Sequence, residues 1–185
     1  MIGTHNSLSS ARPRYGFFNL FIWLWRCQTQ MFGEQLLFAH YFDIRIRFDK
    51  EGRLWFCHGI VDFDTPWTLD VLLKYVMRYK ATCRVVIERG KVPADLMVML
   101  APYLSCIHMV IVKKGWRVIY KDREREHLKF SDTTYVPFRS DRTFWQNLVH
   151  LKISTIKIWA RRHNPPITQK LREDDVIHFL DHFVM

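Results

Sequence analysis

From Tyr41 to Phe48 the chain reads YFDIRIRF, alternating apolar and charged side chains with the period of two that a strand shows to two different surroundings. After the turn signal Asp49-Lys50-Glu51-Gly52, RLWFCHG continues as a second strand, so the pair predicts a hairpin. The period then changes. In TPWTLDVLLKYVMRYK, Pro66 sits in the opening turn, Thr68 is placed as an N-cap, and Leu69, Leu72, Leu73, Val76 and Met77 form a helical stripe. CRVVIERG is a short β-branched run of the kind covered on both faces, PADLMVMLAPYL reads as helix, and IHMVIVKKGWRVIYKD as two strands across Gly115. Farther on, DRTFWQNLVHL has a helical pattern, STIKIWAR that of a strand, TQKLRE a short helix, and DVIHFLDHFV a closing strand.

Strands alternating with helical segments predict an α/β fold with parallel strands. About seven strand candidates, with no glycine-rich phosphate loop after the first, favour a small or distorted βα barrel of the TIM type over a dinucleotide-binding sheet. With 185 residues, no internal repeat and scattered Gly and Pro, a single domain over residues 1–185 is expected.

Composition adds a partner class. Lys and Arg number 28 against 18 Asp and Glu, and the formal charge of +10 favours phosphorylated ligands, nucleic acid or acidic lipid without choosing among them. Cys27, Cys57, Cys83 and Cys106 show no C-x-x-C spacing and read as reduced, mostly buried thiols. The polar THNSLSS stands where a secretory signal would carry its apolar core, so the expected location is the cytoplasm or a membrane periphery. The apolar stretch Tyr15 to Gln28 is roughly half the length of a spanning helix, which makes it a buried or an interfacial one.

In a βα barrel the chemistry gathers at the carboxyl ends of the strands. Those ends supply His5 and Asn6 after the first strand, Asp43 and Arg45 on the second, His58 after the hairpin strand, Glu88 after the next, and Asp181 on the last. Two imidazoles across a guanidinium suit phosphodiester cleavage by an internal hydroxyl: one removes the hydroxyl proton, the other protonates the departing oxygen, and arginine neutralises charge on phosphorus. Asp181 is placed to orient His5. The same-face pair Asp43 and Arg45 would be costly inside a barrel unless a site used it. His40, His108, His127, His150, His163, His178 and His182 read as structural.

GTHNS (Gly3 to Ser7), CQTQMFGEQL (Cys27 to Leu36), HYFDIRIR (His40 to Arg47), LWFCHG (Leu54 to Gly59), TLDVLLKYV (Thr68 to Val76) and VIHFLDHFV (Val176 to Val184) stand in the order and spacing of motifs in bacterial phosphatidylinositol-specific phospholipase C. The chain resembles a shortened form of that family, within the phospholipase C-like phosphodiesterases. The resemblance implies a metal-independent βα-barrel enzyme of lipid metabolism. His5 would be general base, His58 general acid, Arg45 the substitute for calcium, Asp43 its motif partner and Asp181 the carboxylate behind the base. Asn6 and Arg45 would hold the substrate phosphate. The reaction implied is attack by an adjacent ring hydroxyl, releasing a cyclic phosphate.

Asn6 replaces an Asp usual in bacterial members, whereas calcium-dependent eukaryotic relatives carry His-Asn there. No cofactor is favoured; if a Ca2+ ion were used, Asn6, Asp43 and Glu88 would be its ligands. The rival reading is a catalytically weak or inactive barrel that binds anionic lipid or phosphorylated ligands. Nucleic acid ranks third, since no recognition motif accompanies the charge. Family members dock on lipid through an apolar helix near Phe17 to Trp25, and surface Lys113, Lys114, Arg161 and Arg162 would add attraction to anionic lipid.

Overall fold

A computed structural model describes residues 1–21, 25–131, 143 and 176–180. Its strands are β1 (Ile2–Thr4), β2 (Arg12–Pro13), β3 (Tyr41–Phe48), β4 (Leu54–His58), β5 (Val61–Asp64), β6 (Thr82–Arg89), β7 (Ile107–Val112), β8 (Arg117–Lys121), β9 (Lys129–Ser131) and β10 (Val176–Leu180). Three helices accompany them among the described residues: α1 (Phe32–Gln35), α2 (Leu69–Arg78) and α3 (Leu96–Leu100).

Neighbouring strands run parallel through the series β9-β10-β1-β3-β6-β7, and β8 returns antiparallel to β7. A second arm leaves β3 through antiparallel β4, β5 and β2. The expected βα barrel is therefore wrong. Among the described residues no ladder joins β8 to β9, so the sheet stays open and mixed.

The physical reason is the length of the connections. A parallel crossover takes a dozen or more residues, usually a helix, and of the three described helices only α2 reaches ten. PADLMVMLAPYL splits: α3 has five residues, and a 3-10 turn, Ala101–Tyr103, follows with Pro102 in it. Gly115, at φ 75°, folds the chain back into β8, so the series ends in an antiparallel return. DRTFWQNLVHL, STIKIWAR, TQKLRE and Asp181 lie outside the described residues.

Where the pattern was regular the elements form as expected, except that Met77 of the α2 stripe is exposed. Thr68 caps α2, its hydroxyl accepting from the Val71 N–H at 3.3 Å. Leu69, Leu72, Leu73 and Val76 of α2 share one buried cluster with Phe42, Ile44, Ile46 and Phe48 of β3 and with Val85 and Ile87 of β6. Each such side chain contributes about 1.5–3 kcal/mol when fully buried. On the opposite face of β3, Tyr41 packs with Leu128, Ile177 and Phe179, and the same face then becomes charged through Asp43, Arg45 and Arg47.

The apolar stretch near residue 20 divides. Gly16–Phe21 is a 3-10 segment with Phe17 66% and Leu20 70% exposed, whereas Trp25 is buried in the core. Among the described residues no helix is long and apolar enough to cross a membrane. All four cysteines are buried thiols.

Candidate active site

One edge of β3 changes partner partway along. Tyr41 and Phe42 pair with β1, Ile46 to Phe48 pair with β4, and the stretch between belongs to neither ladder. Into that gap come the residues after β1 and the tip of β4, which is how His5, Asn6 and His58 reach Asp43 and Arg45.

The turn after β1 is fixed from several sides. Ser7 N–H donates to the Asp43 carbonyl at 2.9 Å, and the Ser7 hydroxyl to the Thr4 carbonyl at 3.1 Å. Gln28 Nε2 donates to the His5 carbonyl at 3.0 Å and Gln35 Nε2 to the Ser7 carbonyl at 2.8 Å. Asn6 takes φ 46°, a left-handed conformation that Asn tolerates better than bulkier residues. Its side-chain amide nitrogen is buried and has no hydrogen-bond partner among the described residues. Gly3 lets β1 approach β10: a Cβ there would lie 2.9 Å from Ile177 Cγ2.

Arg45 is the hub. Its Nε donates to Asp43 Oδ2 at 2.9 Å, Nη1 to Glu88 Oε1 at 2.8 Å and Nη2 to His5 Nε2 at 2.6 Å. A guanidinium only donates, so His5 Nε2 accepts and carries no proton in this arrangement. Asp43, wholly buried, also accepts from Arg84 Nε at 2.7 Å and from the Asn6 backbone N–H at 3.1 Å. Burial alone would raise its pKa, yet the Arg45 and Arg84 guanidiniums beside it hold the carboxyl well below the usual range. Arg45 is likewise held charged: burial opposes its cation, and the Asp43 and Glu88 carboxylates outweigh burial and raise its pKa.

Glu88 reaches Arg45 because β6 bulges. The β3–β6 register slips between Ile46 and Arg47, so that Ile87 faces Ile46 and Arg89 faces Arg47, leaving Glu88 as the extra residue. Gly90, at φ 97°, makes this geometry possible, since a Cβ there would stand 2.1 Å from the Phe48 carbonyl oxygen. The second oxygen of Glu88 is paired with the Lys113 ammonium.

His58 faces His5 edge to face, ring centroids 6.0 Å apart. Its Nδ1 lies 2.6 Å from the Trp25 carbonyl, so that nitrogen donates and Nε2 is the variable position. Cys27 Sγ lies 3.8 Å from the same Nδ1. Burial, then the Arg45 guanidinium, push the His58 pKa down from 6.5 to about 3. His5 thus meets the guanidinium through Nε2, while His58, held through Nδ1, stays a neutral ring beside it.

The geometry thus gathers His5, Asn6, Asp43, Arg45, His58 and Glu88, while Asp181 lies outside the described residues. Arg45 bridges Asp43 and Glu88, so a cation held by Asn6, Asp43 and Glu88 would first have to displace that guanidinium. Among the described residues no group of three or more His, Cys, Asp or Glu side chains is arranged to hold a metal. Sequence reasoning missed Arg84 as a partner of Asp43, Lys113 as a partner of Glu88, and Trp25 as the anchor of His58. The Arg84 position was readable, because CRVVIERG puts a charge inside an apolar strand; the Trp25 contact uses a backbone carbonyl and leaves no residue-type signal.

No protein-family model, curated protein or solved structure matches the chain.

Proposed function

We propose that the protein cleaves phosphodiesters, using His5 and His58 on either side of the scissile phosphate and Arg45 to neutralise it. The observation that carries this reading is the pair of imidazoles 6.0 Å apart with a guanidinium bonded to one of them. Among the described residues of the cluster, the cations Arg45, Arg84 and Lys113 outnumber the carboxylates Asp43 and Glu88, which favours an anionic ligand. Arg45 uses three of its five N–H groups on Asp43, Glu88 and His5, and Asn6 offers a buried amide nitrogen.

Phosphate binding would draw Arg45 Nη2 from His5, freeing the Nε2 lone pair as general base. The same anion would favour the charged form of His58 and let it serve as general acid. In the reaction an internal hydroxyl oxygen of the substrate bonds to phosphorus, its proton goes to His5, the ester P–O bond breaks, and the departing oxygen takes a proton from His58. A cyclic phosphate and an alcohol result. A lipid headgroup is the favoured diester: the exposed Phe17 and Leu20 belong to the segment whose Phe18 carbonyl accepts from Trp25 Nε1 at 3.1 Å, and Trp25 also holds His58.

The rival reading, an anion-binding domain without turnover, draws on the Arg45 N–H that occupies the His5 lone pair. Phosphorus NMR of phosphatidylinositol in mixed micelles, with and without EDTA, separates the two. A cyclic phosphate signal that is lost in both His5→Ala and His58→Ala supports catalysis; saturable binding to anionic vesicles without product supports the rival. Turnover retained in both variants rejects the assignment of the two histidines.

A further inference from the structure

His58 is the last residue of β4 before the two-residue turn Gly59-Ile60. At that point β4 has already left β3, whose last rung with it is Ile46 to Phe56, so the main sheet does not hold the imidazole in place. Something else must fix the tip of the hairpin.

Asp62, the partner of Cys57 across the hairpin, is 3% exposed. Its carboxylate accepts from Arg47 Nε at 2.5 Å and, through the other oxygen, from Arg47 Nη2. Arg89 Nη2 donates to Asp62 Oδ1 at 2.9 Å and also to the Ile60 carbonyl at 2.9 Å. Arg47 ends the charged face of β3 and Arg89 ends β6, so two guanidiniums on the rigid sheet grip the turn and the first strand after it. From the other side, β2 extends the hold, with Arg14 N–H donating to the Asp62 carbonyl at 2.8 Å. A carboxylate this buried is retained only with such partners, because leaving it unpaired costs several kcal/mol.

We infer that Asp62, with Arg47 and Arg89, is a positioning residue that holds the hairpin tip so that His58 faces His5. The inference rests on the phosphodiesterase reading for its consequence in turnover, but not for its consequence in geometry. None of the three side chains is assigned a contact with substrate. Their effect is transmitted through the backbone of residues 58–62.

The test compares Asp62→Asn and Arg89→Gln with the unmodified protein, with Asp62→Glu as the conservative variant. The geometric readout is the His58 Nδ1–H signal in proton–nitrogen NMR, which the Trp25 carbonyl protects from exchange. It is expected to broaden or exchange at least about tenfold faster in Asp62→Asn and Arg89→Gln, the change that about 1.4 kcal/mol of lost hold on the closed hairpin gives, and to be partly restored in Asp62→Glu. The kinetic readout is a fall in kcat approaching the hundredfold that about 1 Å of misplacement causes, with KM little changed. If Asp62→Asn fails to fold, Arg89→Gln decides, since its side chain is 39% exposed. An unchanged His58 signal in a folded Arg89→Gln overturns the inference. Absence of any turnover in the unmodified protein counts against the phosphodiesterase reading alone, and the NMR result still decides the positioning role.

Discussion

Replacing Asp43 with asparagine puts the charge network on trial at its most buried member. Asp43 is 0% exposed and accepts from Asn6 N–H, Arg45 Nε and Arg84 Nε. An amide keeps the shape but turns one acceptor into a donor aimed at a guanidinium, and it leaves Arg45 and Arg84 short of counter-charge. Breaking a buried ion pair from one side costs about 3–5 kcal/mol. In a chain of this length each kcal/mol moves Tm by about 2–4 °C, so the variant should melt about 6–20 °C lower. Circular dichroism melts at neutral pH measure this directly. The pH dependence gives a second check. A carboxyl whose pKa is depressed on folding adds stability that is fully present above its unfolded value, about 3.9, and is lost as pH falls through the lower folded value. The difference between the unmodified protein and Asp43→Asn should therefore persist at pH of about 4 and close only below it. A difference smaller than the roughly 1 kcal/mol of an ordinary substitution, or one already closed in mildly acidic buffer, would refute the reasoning.

Three further outcomes follow from the same geometry. Gly90→Ala should lose more than the 1–2 kcal/mol that a left-handed residue ordinarily costs, roughly, because backbone must also move; an unchanged urea midpoint would remove the bulge from the account. His58 should remain neutral in nitrogen NMR well below 6.5, and since unfolding gives the ring a proton that the fold refuses, the stability it contributes should fall between pH 6.5 and about 3. A His58→Gln variant should flatten the acid limb in that window, and an imidazolium observed at pH 6 by roughly half the population would contradict the burial argument. The four buried thiols should resist a water-soluble disulfide reagent in the native state and react once denaturant is added; rapid native labelling would show that one of them is reachable.

Much of the site was legible because its residues interrupt regular patterns. In YFDIRIRF the alternation that identifies the strand also assigns Asp43, Arg45 and Arg47 to one face, and charges sharing a face of a half-apolar strand had to find partners. Thr68 and the stripe of α2 were similarly explicit. What periodicity could not convey was connectivity. PADLMVMLAPYL has the composition of a helix, but a five-residue helix and a turn satisfy it equally well, and this difference separates a crossover from a short link. The strand β5, VDFD, alternates over only four residues, too few to stand out beside β4. The bulge at Glu88 depends on a backbone approach between Gly90 and Phe48, which a one-dimensional pattern does not contain. The barrel expectation failed for these reasons of length and direction, while the convergence of His5, Arg45 and His58 depended only on where β3 changes partners.

The position of β1 has a consequence for the order of assembly. Three residues long, it lies between β3 and β10, with Ile2 in register with His178 and Met1 nitrogen donating to the Val176 carbonyl across 175 residues of sequence. A strand so short gains little from one neighbour, and closing a loop of that span is entropically costly before any contact rewards it. A nascent chain emerging from the ribosome can complete the β3–β6–β7 ladder early and seat β1 against β3, yet β1 is flanked on both sides only when residues 176–180 arrive. The last strand to arrive therefore closes the outer edge of the one that carries His5, so that chains interrupted before β10 are expected to hold β1 from one side only.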